Sequence, residues 1–147
     1  MSKDLRHEMA DALDAVIGDM REEVSRLADA LAAERGALER ADPDALHLAG
    51  GAKQTHLERL EQLDAERQQL SRELAATTPA QRAAWEGVVA ALAECQRANQ
   101  SNGQIVGQRL RQVRQALAVL TGGTDAGVYG PGGTLRIDHR SLSLAEA

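Results

Sequence analysis

Few residues in this 147-residue chain have types and spacings that could do chemistry. Asp138, His139 and Ser141 bring together the three side chains of a nucleophilic triad. A triad works only when a rigid scaffold holds its members in register, and this one sits in a glycine-rich stretch. The four histidines, His7, His47, His56 and His139, include no pair at helical i,i+3 or i,i+4 spacing and no H-E-x-x-H. They read as surface residues, and no metal or cofactor is expected. The single cysteine, Cys95, excludes an internal disulfide framework and reads as a small core hydrophobe. No glycine-rich phosphate loop is present. The expectation is a protein without catalytic residues.

The elements around these residues carry more information. Leu13, Ile17, Met20, Val24, Leu27 and Leu31 follow alternating steps of four and three, with Glu34 and Leu38 taking the next seam positions. Such a heptad seam needs a partner helix. Ala41-Asp42-Pro43-Asp44 interrupts it, with Asp42 placed to cap a second helix that opens on proline. That helix carries Leu46, Leu57, Leu60, Leu63, Leu70 and Leu74, and Gly50-Gly51 weakens its first third. Thr78-Pro79-Ala80-Gln81 is a capping box opening a third helix. Its seam is Trp85, Val88, Leu92, Cys95, Asn99, Asn102, Val106, then, past Arg109 or Leu110, Val113, Leu117 and Leu120.

The fold expected is all-α: an antiparallel three-helix bundle with coiled-coil-like packing, its helices near 5–40, 43–76 and 79–121. A two-helix hairpin, with Pro43 only a kink, is the other arrangement the pattern permits. Residues 1–121 form the body and 122–147 a flexible partner-binding tail. Six of the thirteen glycines fall within that tail, which still carries Val128, Tyr129, Leu135, Ile137, Leu142 and Leu144 as apolar anchors.

Charge narrows the partners. Residues 1–94 carry a net −8, residues 95–124 carry four arginines and no acid, and the whole chain is at −5. An acidic body argues against nucleic acid. No apolar run is long enough to insert in a membrane, and the charged N-terminus lacks the apolar core of a secretory signal. A cytoplasmic protein is expected. The near absence of aromatic residues, with no Phe at all, also argues against a small-molecule pocket.

Two seam positions are out of pattern. Asn99 and Asn102 stand where apolar residues belong, with Gly103 directly after. Buried asparagines in a seam set helix register, and Glu34 on the first seam is a candidate partner for one of the amides.

Cys95-Gln96-Arg97-Ala98-Asn99-Gln100-Ser101-Asn102-Gly103, the later Val128-Tyr129-Gly130-Pro131-Gly132-Gly133, and the run from Leu31 through Asp42-Pro43 to Leu46 together give the chain a resemblance to the FlgN family of flagellar type III export chaperones. Asn99, Asn102 and Gly103 are its signature positions. The resemblance implies a cytosolic chaperone that binds the hook–filament junction proteins FlgK and FlgL, keeps them unassembled and delivers them to the export gate protein FlhA. It places client binding at the end of the third helix, on Val106, Leu110, Val113, Leu117 and Leu120, and gate binding at Tyr129. The competing reading is a structural coiled-coil adaptor or granule-coating protein with no export role.

Overall fold

The computed structural model describes residues 1–122. Three helices account for nearly all of them: α1 (Lys3–Arg40), α2 (Pro43–Leu74) and α3 (Pro79–Leu120). The described residues contain no strand.

Local chemistry fixes the helix ends. Ser2 caps α1 by accepting a hydrogen bond from the Leu5 amide. Ala41 ends α1 in the left-handed region at φ 52°, while the Asp42 amide donates back to the Ala37 carbonyl and the Ala41 amide to Leu38. That is a Schellman closure, here made without glycine. Asp42 then caps α2 by accepting from the Ala45 amide, and Pro43 fills the first helical position, where no amide donor is needed. The reversal between α1 and α2 therefore takes two residues. This decides between the two arrangements open to the sequence: Pro43 begins a new helix after a full turn and is not a kink. The Thr78–Gln81 capping box forms in both directions at the start of α3. Gly122, at φ +72°, follows its end. The α2 helix continues unbroken through Gly50 and Gly51, and stops at Leu74 because Ala75 turns left-handed at φ 58°.

The helices run up, down and up. Gln81 reaches Asp14, Cys95 reaches Val24, and Asn102 reaches Leu31, so α3 lies parallel to α1. The α2 helix runs antiparallel to both, with Lys53 against Glu34 and Asn99 at one level, and Arg67 against Trp85 nearer the other end.

The core is built on α1, which contributes Leu13, Val16, Ile17, Met20, Val24, Leu27 and Leu31. Leu60 and Leu63 of α2, and Val88, Leu92 and Cys95 of α3, complete it. The α1 seam read from spacing is buried throughout. The buried face is wider than one seam, because Val16, Glu23, Ala30 and Ala37 also turn inward. A helix flanked by two partners must cover a broader arc than one paired along a single seam. Burying each of the Leu, Ile, Val and Met side chains of this core contributes about 1.5–3 kcal/mol. No helix among the described residues is long and apolar enough to cross a membrane.

Candidate partner-binding surface

Two features of α3 distinguish it from an ordinary bundle helix: a polar layer inside the rod and an apolar stripe outside it.

The polar layer lies where α1, α2 and α3 face one another. Asn102 is fully buried, and its amide donates to the Leu31 carbonyl at 3.0 Å and to Glu34 Oε1 at 2.9 Å. Lys53 Nζ sits 2.8 Å from Glu34 Oε2 and donates to Asn99 Oδ1 at 3.0 Å. Glu34 is 0% exposed. One residue from α1, one from α2 and two from α3 are thus linked by an ion pair, Lys53 to Glu34, and by hydrogen bonds to the two asparagines. A slip of α3 that brought Val106 opposite Glu34 would strand the carboxylate without its amide donor, and a slip the other way would remove Asn99 from Lys53, so the layer fixes axial register. Gly103, the third signature position, is half-buried, and a Cβ built there would meet nothing within 4 Å.

Register determines where α3 ends relative to its partners. The spacing of 71 residues between α1 and α3 at Val24–Cys95 and Leu31–Asn102 carries Arg40, the last residue of α1, to the level of Arg111. The antiparallel register of α2 brings its first residue, Pro43, to nearly the same level. The last nine residues of α3 therefore extend past both neighbours, by about 14 Å at 1.5 Å per residue.

Of the eight large apolar residues exposed among the described residues, five lie between Leu110 and Leu120; Met1, Leu5 and Leu48 are the others. Val106 is half-buried, inside the rod at about the level of Arg35. Beyond it, Leu110 is 37% exposed, Val113 54%, Leu117 40% and Leu120 81%. At about 100° per residue Val106 and these four fall within about 40° of one direction, continuing the face that Val88, Leu92 and Cys95 turn to the core. The seam itself changes where the rod ends. Asn102, Val106 and Leu110 are separated by two successive steps of four, a stutter that releases the helix from the heptad supercoil. The stripe is thus the core face of α3, carried beyond the helices that would cover it. Val119, 84% exposed, stands off it on the opposite side.

The remaining chemical candidates resolve into structure. His56 Nδ1 is hydrogen-bonded to the buried Glu23 Oε1, which also accepts through Oε2 from Arg26 at 2.9 Å. Burial pushes the Glu23 carboxyl up, but the hydrogen bonds and charges of His56 and Arg26 outweigh it, and the group lies below its ordinary range. Cys95 is buried with Sγ against the Val24 carbonyl, and burial, aided by Glu94, pushes its thiol up. His7 and His47 are exposed. Among the described residues no group of His, Cys, Asp and Glu could hold a metal ion. Tyr129 and the Asp138–Ser141 triad candidates lie outside the described residues, as do the tail's leucines.

Two clusters were not legible from spacing. Lys53, the counter-ion of Glu34, sits on a stretch of α2 that reads as solvated surface. Arg67 donates from Nε to Asp64 at 2.9 Å and lies 3.8 Å from the centroid of the Trp85 ring. Trp85 is half-buried, with the Arg67 guanidinium covering one face of its ring.

The comparisons with known proteins agree with this architecture. No curated protein and no solved structure matches the chain. One family model does, that of the FlgN protein, over residues 9–137. The match takes in most of the bundle, the polar layer and the overhanging stripe, and the chain belongs to the FlgN family of flagellar export chaperones.

Proposed function

We propose that this chain is the export chaperone of the hook–filament junction proteins FlgK and FlgL, and that Val106, Leu110, Val113, Leu117 and Leu120 form its client-binding surface. One observation carries the assignment: an apolar stripe, continuous with a packed core face, is left uncovered by the other described helices on a helix that outruns both. Subunits that polymerise through amphipathic helices are kept apart when such a helix is laid on a complementary apolar face. The client helix orders as it binds, and the ordering cost of several kcal/mol keeps the complex releasable at the export gate. Delivery to FlhA is assigned to Tyr129, on the strength of the Val128-Tyr129-Gly130 motif.

The test is co-purification of FlgK- and FlgL-like proteins with variant chains. Leu117→Asp with Leu120→Asp is expected to abolish capture while the far-ultraviolet circular dichroism stays native. Retained capture would place the client elsewhere. Tyr129→Ala is expected to spare capture and impair motility and FlhA binding; loss of client with intact FlhA binding would refute its role.

A further inference from the structure

The end of the rod opposite the overhang holds a buried cation short of a partner. The α2 and α3 helices each pack closely on α1 but not on each other. Near the connection between α2 and α3, the gap they leave contains a cavity of about 190 Å³. Leu13 and Ile17 of α1 and the ring of Trp85 form its apolar wall, and Arg67, Ser71, Thr77 and Arg82 line it with polar groups. Gln81, also in the wall, is committed: its amide donates to the Ala10 carbonyl and to Asp14. No carboxylate among the described residues lines the cavity. Arg82 is exposed, so the cavity reaches solvent on that side. Arg67 is 7% exposed. Its Nε donates to Asp64 and its guanidinium lies on Trp85, but its Nη2 is buried and has no acceptor among the described residues. A buried cationic donor left unmatched is costly, and an acceptor entering the cavity removes that cost.

We propose that this cavity binds a small monocarboxylate with an apolar body. Its oxygens accept from Arg67 Nη2 and from the hydroxyls of Ser71 and Thr77, and its body lies against Leu13, Ile17 and Trp85. Charge sets the valence. Asp64, which also accepts from Gln68, balances Arg67, so Arg82 is the excess positive charge of the lining and one negative charge neutralises it. The planar donor fork of arginine suits a carboxylate. Size sets the body: an apolar cavity of about 150 Å³ holds a benzene molecule, so this one takes a ligand of about seven non-hydrogen atoms. The scarcity of aromatic residues argues against a small-molecule pocket over most of the chain, but its one tryptophan stands at this place.

The experiment is titration of the full chain with isovalerate at constant ionic strength, followed by the fluorescence of Trp85, the only tryptophan. A saturable change is expected, with half-saturation in the millimolar range for so small a ligand. Isoamyl alcohol, the same body without the charge, and inorganic phosphate, charge without the body, are each expected to bind at least about tenfold more weakly. Arg67→Lys keeps a cation beside Asp64 but loses the fork, and is expected to weaken isovalerate about tenfold. Arg82→Gln and Ser71→Ala are expected to weaken it about threefold each. Arg97→Gln, about three helical turns along α3 from Trp85, removes the same charge outside the cavity and is expected to leave binding unchanged. The parent chain showing no saturable response would overturn the proposal, leaving the cavity to water. So would alcohol binding as tightly as isovalerate, which means an apolar cleft alone, or phosphate doing so, which means an unselective cation. If Arg67→Lys loses its helical circular dichroism, Arg82→Gln and Ser71→Ala decide: both binding isovalerate like the parent overturns the site.

Discussion

The residues that decide this molecule's geometry are polar. Glu34 is enclosed by the rod, where Lys53 and Asn102 both reach its carboxylate. Removing one partner leaves a buried charge half satisfied. Lys53→Met is therefore expected to cost about 3 kcal/mol, read as a lowered urea midpoint. Adding Glu34→Leu to that variant should recover part of the loss, since no charge then remains to be satisfied. The Glu23–His56–Arg26 group gives a second expectation. The Glu23 carboxyl titrates lower in the folded chain than in the unfolded one. The stability it contributes is complete above the unfolded glutamate range and is lost as pH falls through the lower folded value. Glu23→Gln should flatten the loss of stability between about pH 5 and pH 3, measured as the urea midpoint against pH. Asn99, Asn102 and Glu34 are legible in the sequence, because each breaks an apolar register. Lys53 and His56 are not, because a polar residue on a helix reads as solvent-facing until a partner helix covers it.

At the scale of elements, the helices are written in local signals, and the structure uses the same ones. The Asp42-Pro43 start, the Thr78–Gln81 box and the six-residue α1 seam all depend on neighbours within four positions, which is why spacing alone reveals them. What spacing underdetermines is the width of a buried face. One seam describes a helix with one partner, whereas α1 has two, and Val16, Ala30 and Ala37 are drawn inward by the second. The opposite departure occurs in α2. Its leucines at 57, 70 and 74 are only partly buried, because its contact with α3 is made largely by long side chains, Lys53 to Asn99 and Arg67 to Trp85. Gly50 and Gly51 do not break α2: a glycine pair costs about 2 kcal/mol of helix propensity, and packing along a 32-residue helix offsets it.

At the scale of the molecule, the decisive quantity is a mismatch of length. The 42 residues of α3 exceed both the 38 of α1 and the 32 of α2, and α3 begins about one turn into the rod, near Ala10 and Asp14. The excess therefore emerges at a single end. That follows from a register held by buried groups on three helices, information no single segment contains, so the seam of α3 can be read in the sequence while its emergence beyond α1 and α2 cannot. The same mismatch separates stability from binding along one helix. Leu92→Ala removes a side chain buried in the core and is expected to cost about 2–4 kcal/mol. Leu117→Ala, on the same face of the same helix, should change stability by less than about 0.5 kcal/mol, because no other described helix packs there. Urea unfolding of the two variants, with and without client, tests the division. Client should raise the midpoint of the parent chain by mass action, and of Leu92→Ala by a similar increment, but that of Leu117→Ala by less. Equal midpoints for the two variants without client would mean that the outer stripe is already covered, and a stripe already covered has no face to offer a client. The hydrophobicity of those last turns does little for the packing of the described helices, and the client-binding reading gives it a use, the exclusion of water when a partner arrives.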